Sequence, residues 1–382
     1  MKLGGVATGK DFFNRTKDLE RLWQLLSKEH VVFGGPRRLG KTSVIKKLIE
    51  QASNHQYQAT YIDAEGCDSA ISFIEQIATK FPKQADSGFM STLKRIKSFS
   101  LLKGGIELND PIEQTWQQLG DQIFKGFKQS KQLILIDEFS VFLETLITRN
   151  SNDVNDLLTW LRRWRIDSNH NIKFLFTGSI GLQALLETHQ LDKRMNDCHT
   201  YILKEFSTKH AIEMMQTFAS RKGWSLEDEN AKVICDKIGW LSPFFINLLL
   251  NEVICCAEDA AQENKEKQLQ ISDIGAGYNE LVTNRSKFSH WNTRLKKRLD
   301  APHYNLFTAM LSQIAKSENG LTLTQLSSRL SNHQPDVNLR NQMLEQLQVL
   351  LTDEGYLSQP NDKGETQFLS FLLKDFWKRN YV

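Results

Sequence analysis

Eight consecutive residues, Gly35-Pro36-Arg37-Arg38-Leu39-Gly40-Lys41-Thr42, fit the pattern GxxxxGK[ST] in full. The chemistry this pattern supports is phosphate binding. Gly35 and Gly40 let the backbone curl until successive N–H groups converge on phosphate oxygens. The helix expected from Ser43 onward adds partial positive charge at its N-terminus. Lys41 is the residue type that reaches the terminal phosphates of a nucleoside triphosphate, and the Thr42 hydroxyl is the type that ligates Mg²⁺. A partial copy, Gly4 to Lys10, is followed by Asp11 instead of Ser or Thr. No strand precedes it, so it reads as an N-terminal segment outside the site.

The second constellation is Leu133-Ile134-Leu135-Ile136-Asp137-Glu138. Four apolar residues ending in two carboxylates describe a buried strand that delivers both acids to the carboxyl edge of a sheet. Asp137 would orient Mg²⁺ through water, and Glu138 would act as general base on an attacking water. A later apolar run ends in Phe176-Thr177-Gly178-Ser179. Thr177 or Ser179 could touch the last phosphate or the lytic water, or could cap the following helix. Arg162, Arg163, Arg165 and Arg194 are candidates to neutralise phosphate charge, in cis or on a neighbouring molecule, with Arg194 first among them.

These residues need a sheet to hold them. Five short apolar runs, at 30–33, 59–62, 133–136, 172–176 and 200–203, are β-branched or aromatic, and most end in Gly or Asp. Buried parallel strands have this form. The stretches between them have helical spacing, as in Leu157, Leu158, Leu161 and Trp164. The alternation predicts an α/β fold with helices on both faces of a parallel sheet. Beyond residue 206 strand signals cease, and helices are expected over 207–222, with Ser207 as N-cap, and over 226–238, 242–262 and 272–298. From 301 on, helices over 304–314, 323–330 and 337–351 precede two strand-like segments, 355–358 and 366–369. That order is the outline of a winged helix. Three domains are therefore expected: 1–205, 206–300 and 301–382.

The chain of 382 residues is 40% hydrophobic and 24% charged, with a net charge of +3. This excludes disorder as the main state and a chain that coats nucleic acid by charge alone. Five cysteines without zinc or CxxC spacing argue against a disulfide framework or a structural zinc site. The segment MKLGGVATGKDFFNR has no apolar core, and the most apolar stretch, 244–257, is broken by Asn247, Asn251 and Glu252. A cytoplasmic protein without a membrane span is expected.

With these motifs in hand, the sequence resembles the archaeal-type ATPase group, on the STAND and origin-recognition side of the AAA+ P-loop NTPases. The likeness extends over nearly the whole chain. Phe12-Phe13-Asn14-Arg15-Thr16-Lys17-Asp18-Leu19 is similar to the group's FxGRExEL element, with Asn14 in place of Gly. Gly239-Trp240-Leu241-Ser242-Pro243 is similar to its GG-x-P lid element, with Trp240 in place of the second Gly. The resemblance implies ATP as the nucleotide, Arg15 beside the adenine pocket, Pro243 near the base, a strand order of 5-1-4-3-2, and a helical lid followed by a winged helix. It implies an ATPase acting as a nucleotide-dependent switch.

The alternatives are a DNA-binding module regulated by ATP and a protein-interaction module with slow turnover or none. Arg285, Lys287, Arg294, Lys296, Lys297 and Arg298, with His290 and Trp291 among them, could track duplex DNA. The expected recognition helix 337–351 is poor in cations, offering Arg340 beside Asn338, Asn341, Gln342 and Gln346. A protein partner, a second copy of the chain, or the chain's own ATPase domain fits that helix as well.

Overall fold

The computed structural model describes residues 5–81, 87–101, 115–127, 130–149, 151–178, 181–260, 267–288, 295–296 and 299–382. The chain divides into two compact units. One comprises Arg15–Gly35 and Lys41–Leu203, and the other Met1–Asn14, Pro36–Gly40 and Lys204–Val382.

The first unit is built on a five-stranded parallel sheet. Its strands are β1 (His30–Gly34), β2 (Tyr57–Asp63), β3 (Lys131–Asp137), β4 (Ile172–Thr177) and β5 (Cys198–Ile202). Their spatial order is β2-β3-β4-β1-β5, the order the resemblance implied. Each apolar run of the sequence falls on a strand, the last of them overrunning β5 by Leu203. In β3, Leu133 to Ile136 are wholly buried on both faces, as a strand covered by helices on each side must be. Ile134 and Ile136 share one apolar cluster with Phe174 and Phe176 of β4 and with the helices α3 (Ala70–Lys80), α5 (Trp116–Lys125), α6 (Phe139–Arg149) and α7 (Ser151–Ile166). Leu133 and Leu135 point to the other face by the period of two. Both α3 and α5 begin with a capping box, Ser69 with Ser72 and Thr115 with Gln118. Helix α1 (Thr16–Leu26) precedes β1, and α2 (Lys41–Gln51) follows the phosphate-loop sequence. The remaining helices of this unit are α4 (Ser87–Leu101) and α8 (Gly181–Thr188).

The second unit is mainly helical. It contains α9 (Thr208–Arg221), α10 (Asp228–Ile238), α11 (Pro243–Ala260) and α12 (Ile271–Thr283). Ser207 caps α9, accepting from the His210 N–H at 3.3 Å. Helix α11 is apolar nearly all round, and Phe245, Ile246, Leu248, Leu249, Leu250, Val253 and Ile254 are buried, so it forms the centre of this bundle. Helix α12 stops at Thr283, short of the expected 298. Asn284 is extended, and a short 3₁₀ turn follows over Arg285–Phe288.

The C-terminal part continues with α13 (Ala301–Lys316), β6 (Leu321–Thr322), α14 (Leu323–Arg329), α15 (Val337–Asp353), β7 (Glu365–Thr366) and α16 (Phe371–Tyr381). The two expected strand arms face each other, with Ser358 N–H donating to the Gln367 carbonyl at 2.8 Å and Leu369 N–H to that of Tyr356 at 2.9 Å. They form only the isolated bridge Leu357–Phe368. The two-residue β7 pairs instead with β6, antiparallel. Among the described residues, no helix is long and apolar enough to cross a membrane.

Candidate functional site

The carboxyl edge of the parallel sheet gathers the chemistry of the first unit. Strand β1 ends at Gly34. Gly35 then takes φ of +137°, and a Cβ there would lie 2.9 Å from the Leu203 carbonyl oxygen. Only glycine fits. Gly40 has φ of +92°, which again favours glycine. Lys41 opens α2, and its ammonium donates to the Gly35 carbonyl at 2.5 Å, closing the loop on itself.

The Thr42 hydroxyl donates to Asp137 Oδ2 at 3.2 Å. Asp137 is the last residue of β3 and is buried. Its Oδ1 accepts from the Thr177 hydroxyl and, at 3.1 Å, from the Glu138 N–H. That same N–H also reaches Thr177 Oγ1 at 3.0 Å. Glu138 has φ of +54°, a conformation a residue with a side chain adopts only where its surroundings enforce it. Thr177 therefore grips the acid pair, a contact that neither the phosphate-touching nor the helix-capping expectation included. Ser179 lies outside the described residues.

One member of this cluster had no motif to announce it. The Tyr61 hydroxyl donates to Asp137 Oδ2 at 3.0 Å. Burial first, then the adjacent Asp137 charge, push its pKa far above the usual phenol range, so the hydroxyl keeps its proton. A single aromatic residue inside an apolar strand gives no signal that separates this role from core packing.

Arg194 is not brought to this cluster. It lies in a 3₁₀ turn, Asp192–Arg194, four residues before β5 begins, and so at the amino edge of the sheet. Its Nε donates to Asn155 Oδ1 at 3.0 Å. An action of Arg194 in cis on phosphates at the opposite edge is thereby corrected. The other arginines also have local partners. Arg165 is buried in a bidentate pair with Asp197, Arg163 pairs with Asp121, and Arg162 donates to the Lys193 carbonyl. Arg15 is buried with φ of +70° and lies 3.5 Å from Asp18, which accepts from the Tyr201 hydroxyl at 2.7 Å.

In the second unit, the loop residues Pro36 to Gly40 are held from two directions. The Ser242 hydroxyl donates to the Arg38 carbonyl at 3.3 Å, and the Arg38 guanidinium lies 4.3 Å from the Phe244 ring centre. Pro243, half-buried at the start of α11, stands between those two contacts. From the end of α15, the Asp353 carbonyl accepts from the Arg37 N–H at 3.0 Å, and Glu354 pairs with Arg37 Nε at 3.2 Å.

Helix α15 differs from a base-reading helix. Arg340 is buried, with its guanidinium on Ser327 Oγ and on the carbonyls of Gln334 and Pro335. This corrects its expected place on the exposed face. That face carries Asn338, Asn341, Gln342, Glu345, Gln346 and Val349. Of the basic stretch, Arg285 donates to the Asn380 carbonyl and lies over the Tyr381 ring, while Lys296 is exposed. Lys287 lies in the 3₁₀ turn, and Arg294, Lys297 and Arg298 lie outside the described residues.

Comparisons with known proteins bear on the family and the fold. The family model described as an ATPase domain predominantly from Archaea matches residues 12–236. An uncharacterized ATP-binding protein of Methanocaldococcus jannaschii is 22% identical over 266 residues, covering 63% of this chain and 70% of that protein. A Walker-type ATPase of Pyrococcus abyssi superposes with a TM-score of 0.65 at 14% identity, with 99% of each chain covered. The ORC2 protein of Aeropyrum pernix, solved in ADPNP–ADP complexes, superposes with a TM-score of 0.57 at 12% identity, covering 97% of this chain and 94% of that one. With the phosphate loop, the acid pair and the 5-1-4-3-2 sheet all in place, the chain belongs to this archaeal-type family of P-loop ATPases.

Proposed function

We propose that the protein binds Mg-ATP, hydrolyses it slowly, and uses the nucleotide state to control its helical and C-terminal elements. The observation that carries this reading is the grip on the phosphate loop. Pro36 to Gly40 must wrap the phosphates, and the same residues are held by Ser242 and Phe244 at the head of α11 and by Asp353 and Glu354 at the end of α15. Any adjustment of the loop to its phosphates is therefore felt by those segments.

The residues fit a magnesium ion. Thr42 and Asp137 offer hard oxygen donors side by side. Among the described residues there is no cluster of three or more His, Cys, Asp or Glu able to hold a metal alone, which suits a cation shared with nucleotide phosphates. Bound there, Mg²⁺ would offset the charge of the phosphate oxygens. Lys41 would neutralise the terminal phosphates, and Thr177 would hold Asp137 and the Glu138 backbone in place. The Glu138 carboxylate would take the proton of the attacking water. Arg194 could serve as a finger only toward the site of a second copy.

The partner reading favours protein over duplex DNA. The exposed face of α15 carries amides and Glu345 without a cation, whereas duplex binding draws on phosphate neutralisation. The test is the steady-state ATP hydrolysis rate with and without duplex DNA, with Glu138→Gln as the blank. A slow rate, indifferent to DNA and reduced at least about 100-fold in the variant, is expected. A DNA-stimulated rate lost in the variant would replace this reading with that of a DNA-dependent ATPase. Equal ATP affinity in Lys41→Ala and the parent would overturn nucleotide binding at this loop.

A further inference from the structure

Four donors end on one carboxylate. Asp137 Oδ1 accepts from Thr177 and from the Glu138 N–H, while Oδ2 accepts from Thr42 and Tyr61. A carboxylate offers about four lone-pair directions, so this set holds both of its oxygens in place. Three of the donors belong to segments already tied to phosphate chemistry. The fourth comes from β2, where Tyr61 stands opposite Leu135 and two residues before Asp63, the neighbour of Asp137 in register. Its phenol therefore reaches along the strand to the carboxyl edge.

The phenol is itself held. The Lys46 ammonium lies 3.6 Å from the centre of the Tyr61 ring, close enough for a strong cation–π contact. Lys46 follows Thr42 by four residues on α2, so one helix face carries both the hydroxyl that meets Oδ2 and the cation that clamps the ring. A cation over the ring also draws electron density from the phenol and strengthens its O–H as a donor.

We propose that Tyr61 is a positioning residue whose clamped hydroxyl fixes Asp137 Oδ2 beside the Thr42 hydroxyl, and so sets how firmly that pair takes up Mg²⁺ with a nucleotide. The proposal rests on the Mg-nucleotide reading above and adds a residue to it. Without the phenol oxygen, Oδ2 keeps only its 3.2 Å bond from Thr42. The carboxylate is then free to pivot about the two donors on Oδ1. Phosphate contacts made by the loop backbone and Lys41 do not depend on that pivot.

The experiment is a titration of the full chain with a fluorescent ADP derivative, once in EDTA and once in saturating Mg²⁺. In Tyr61→Phe the gain in affinity that Mg²⁺ confers is expected to shrink about tenfold, the worth of a charge-assisted hydrogen bond. Affinity in EDTA should stay within about twofold of the parent by the same argument. Lys46→Met keeps the hydroxyl but releases the ring, and is expected to lose about twofold of the Mg²⁺ gain. An unchanged gain in Tyr61→Phe overturns the assignment. So does an equal loss in EDTA and Mg²⁺, which would make the residue a part of the general packing. A parent chain that binds no nucleotide in either buffer overturns the Mg-nucleotide reading itself, and the parent curves reveal this before any variant is compared.

Discussion

The histidine that opens β1 has both ring nitrogens committed. His30 Nδ1 accepts from the Phe174 N–H at 3.1 Å, and Nε2 donates to the Arg165 carbonyl at 2.9 Å. Only the neutral ring with its proton on Nε2 satisfies both. A proton on Nδ1 would set two donors against each other in a buried site. Burial accordingly lowers the pKa to about 4. Between about 6.5 and 4 the unfolded chain therefore takes up a proton at this ring that the folded chain refuses, so folding loses stability as pH falls through that window. The loss from this group approaches about 3 kcal/mol at the low end. Urea titrations across that range should show the decline, and the His30 ring signal in NMR should stay neutral until about pH 4; titration near 6.5 would disprove it. Legibility at this scale followed contiguity. Lys41, Thr42, Asp137 and Glu138 stood in motifs of adjacent residues, so their meeting could be read in advance. Tyr61 acts alone from a strand, and Arg340 looks like any exposed helix cation until Ser327 and the Gln334 carbonyl close around it.

Packing at the element scale depends on how closely helices approach. A Cβ at Gly277 of α12 would lie 2.7 Å from the Val253 backbone nitrogen of α11. The obstacle is backbone and cannot swing aside, so Gly277→Ala must push the two helices apart. Overpacking of this kind costs about 1–3 kcal/mol, against up to about 1 kcal/mol returned by the better helix propensity of alanine. A net loss of about 1–2 kcal/mol is expected in urea unfolding, and a neutral or stabilising result would show that the contact yields. The same scale explains which elements were legible. The strands of the parallel sheet are short apolar or aromatic runs, buried in β1, β3 and β4 and only partly so in β2 and β5, and each was visible. Strand β6 has two residues directly before a helix, too short for any period to register. Its partner β7 fixes the place of Gly320, whose added Cβ would lie 2.6 Å from the Thr366 carbonyl oxygen. Helix α12 ended early because Asn284 turns the chain into a 3₁₀ segment, and nothing in the basic run that follows announces the break.

For the whole molecule, the proposed switch requires a route by which a change at a phosphate would reach the C-terminal elements. The fold offers one short route. Arg37 sits in the phosphate loop, its backbone N–H is on the Asp353 carbonyl, and its guanidinium is on Glu354, which is 6% exposed. Asp353 ends α15 and Glu354 caps it, while Gly355 takes φ of +78°, the left-handed region that favours glycine. Sequence motifs foretold the loop but not this anchorage, because an acid some 300 residues away has no spacing rule to reveal it. A nearly buried ion pair that loses one partner leaves the other charge uncompensated. Glu354→Gln keeps the size and removes the charge, so the grip on the loop should loosen and bound ADP should leave about tenfold faster than from the parent, an effect of about 1.4 kcal/mol. Arg37→Gln should act in the same direction. The double variant should fall short of the sum of the two, with a coupling of about 1–3 kcal/mol, because both single changes break the same pair. Stopped-flow release of a fluorescent ADP measures all four proteins. Additive effects would mean that Arg37 serves the phosphates directly and that Glu354 only closes a corner of α15. Coupled effects would make the loop and the end of α15 one mechanical element, as a nucleotide switch requires.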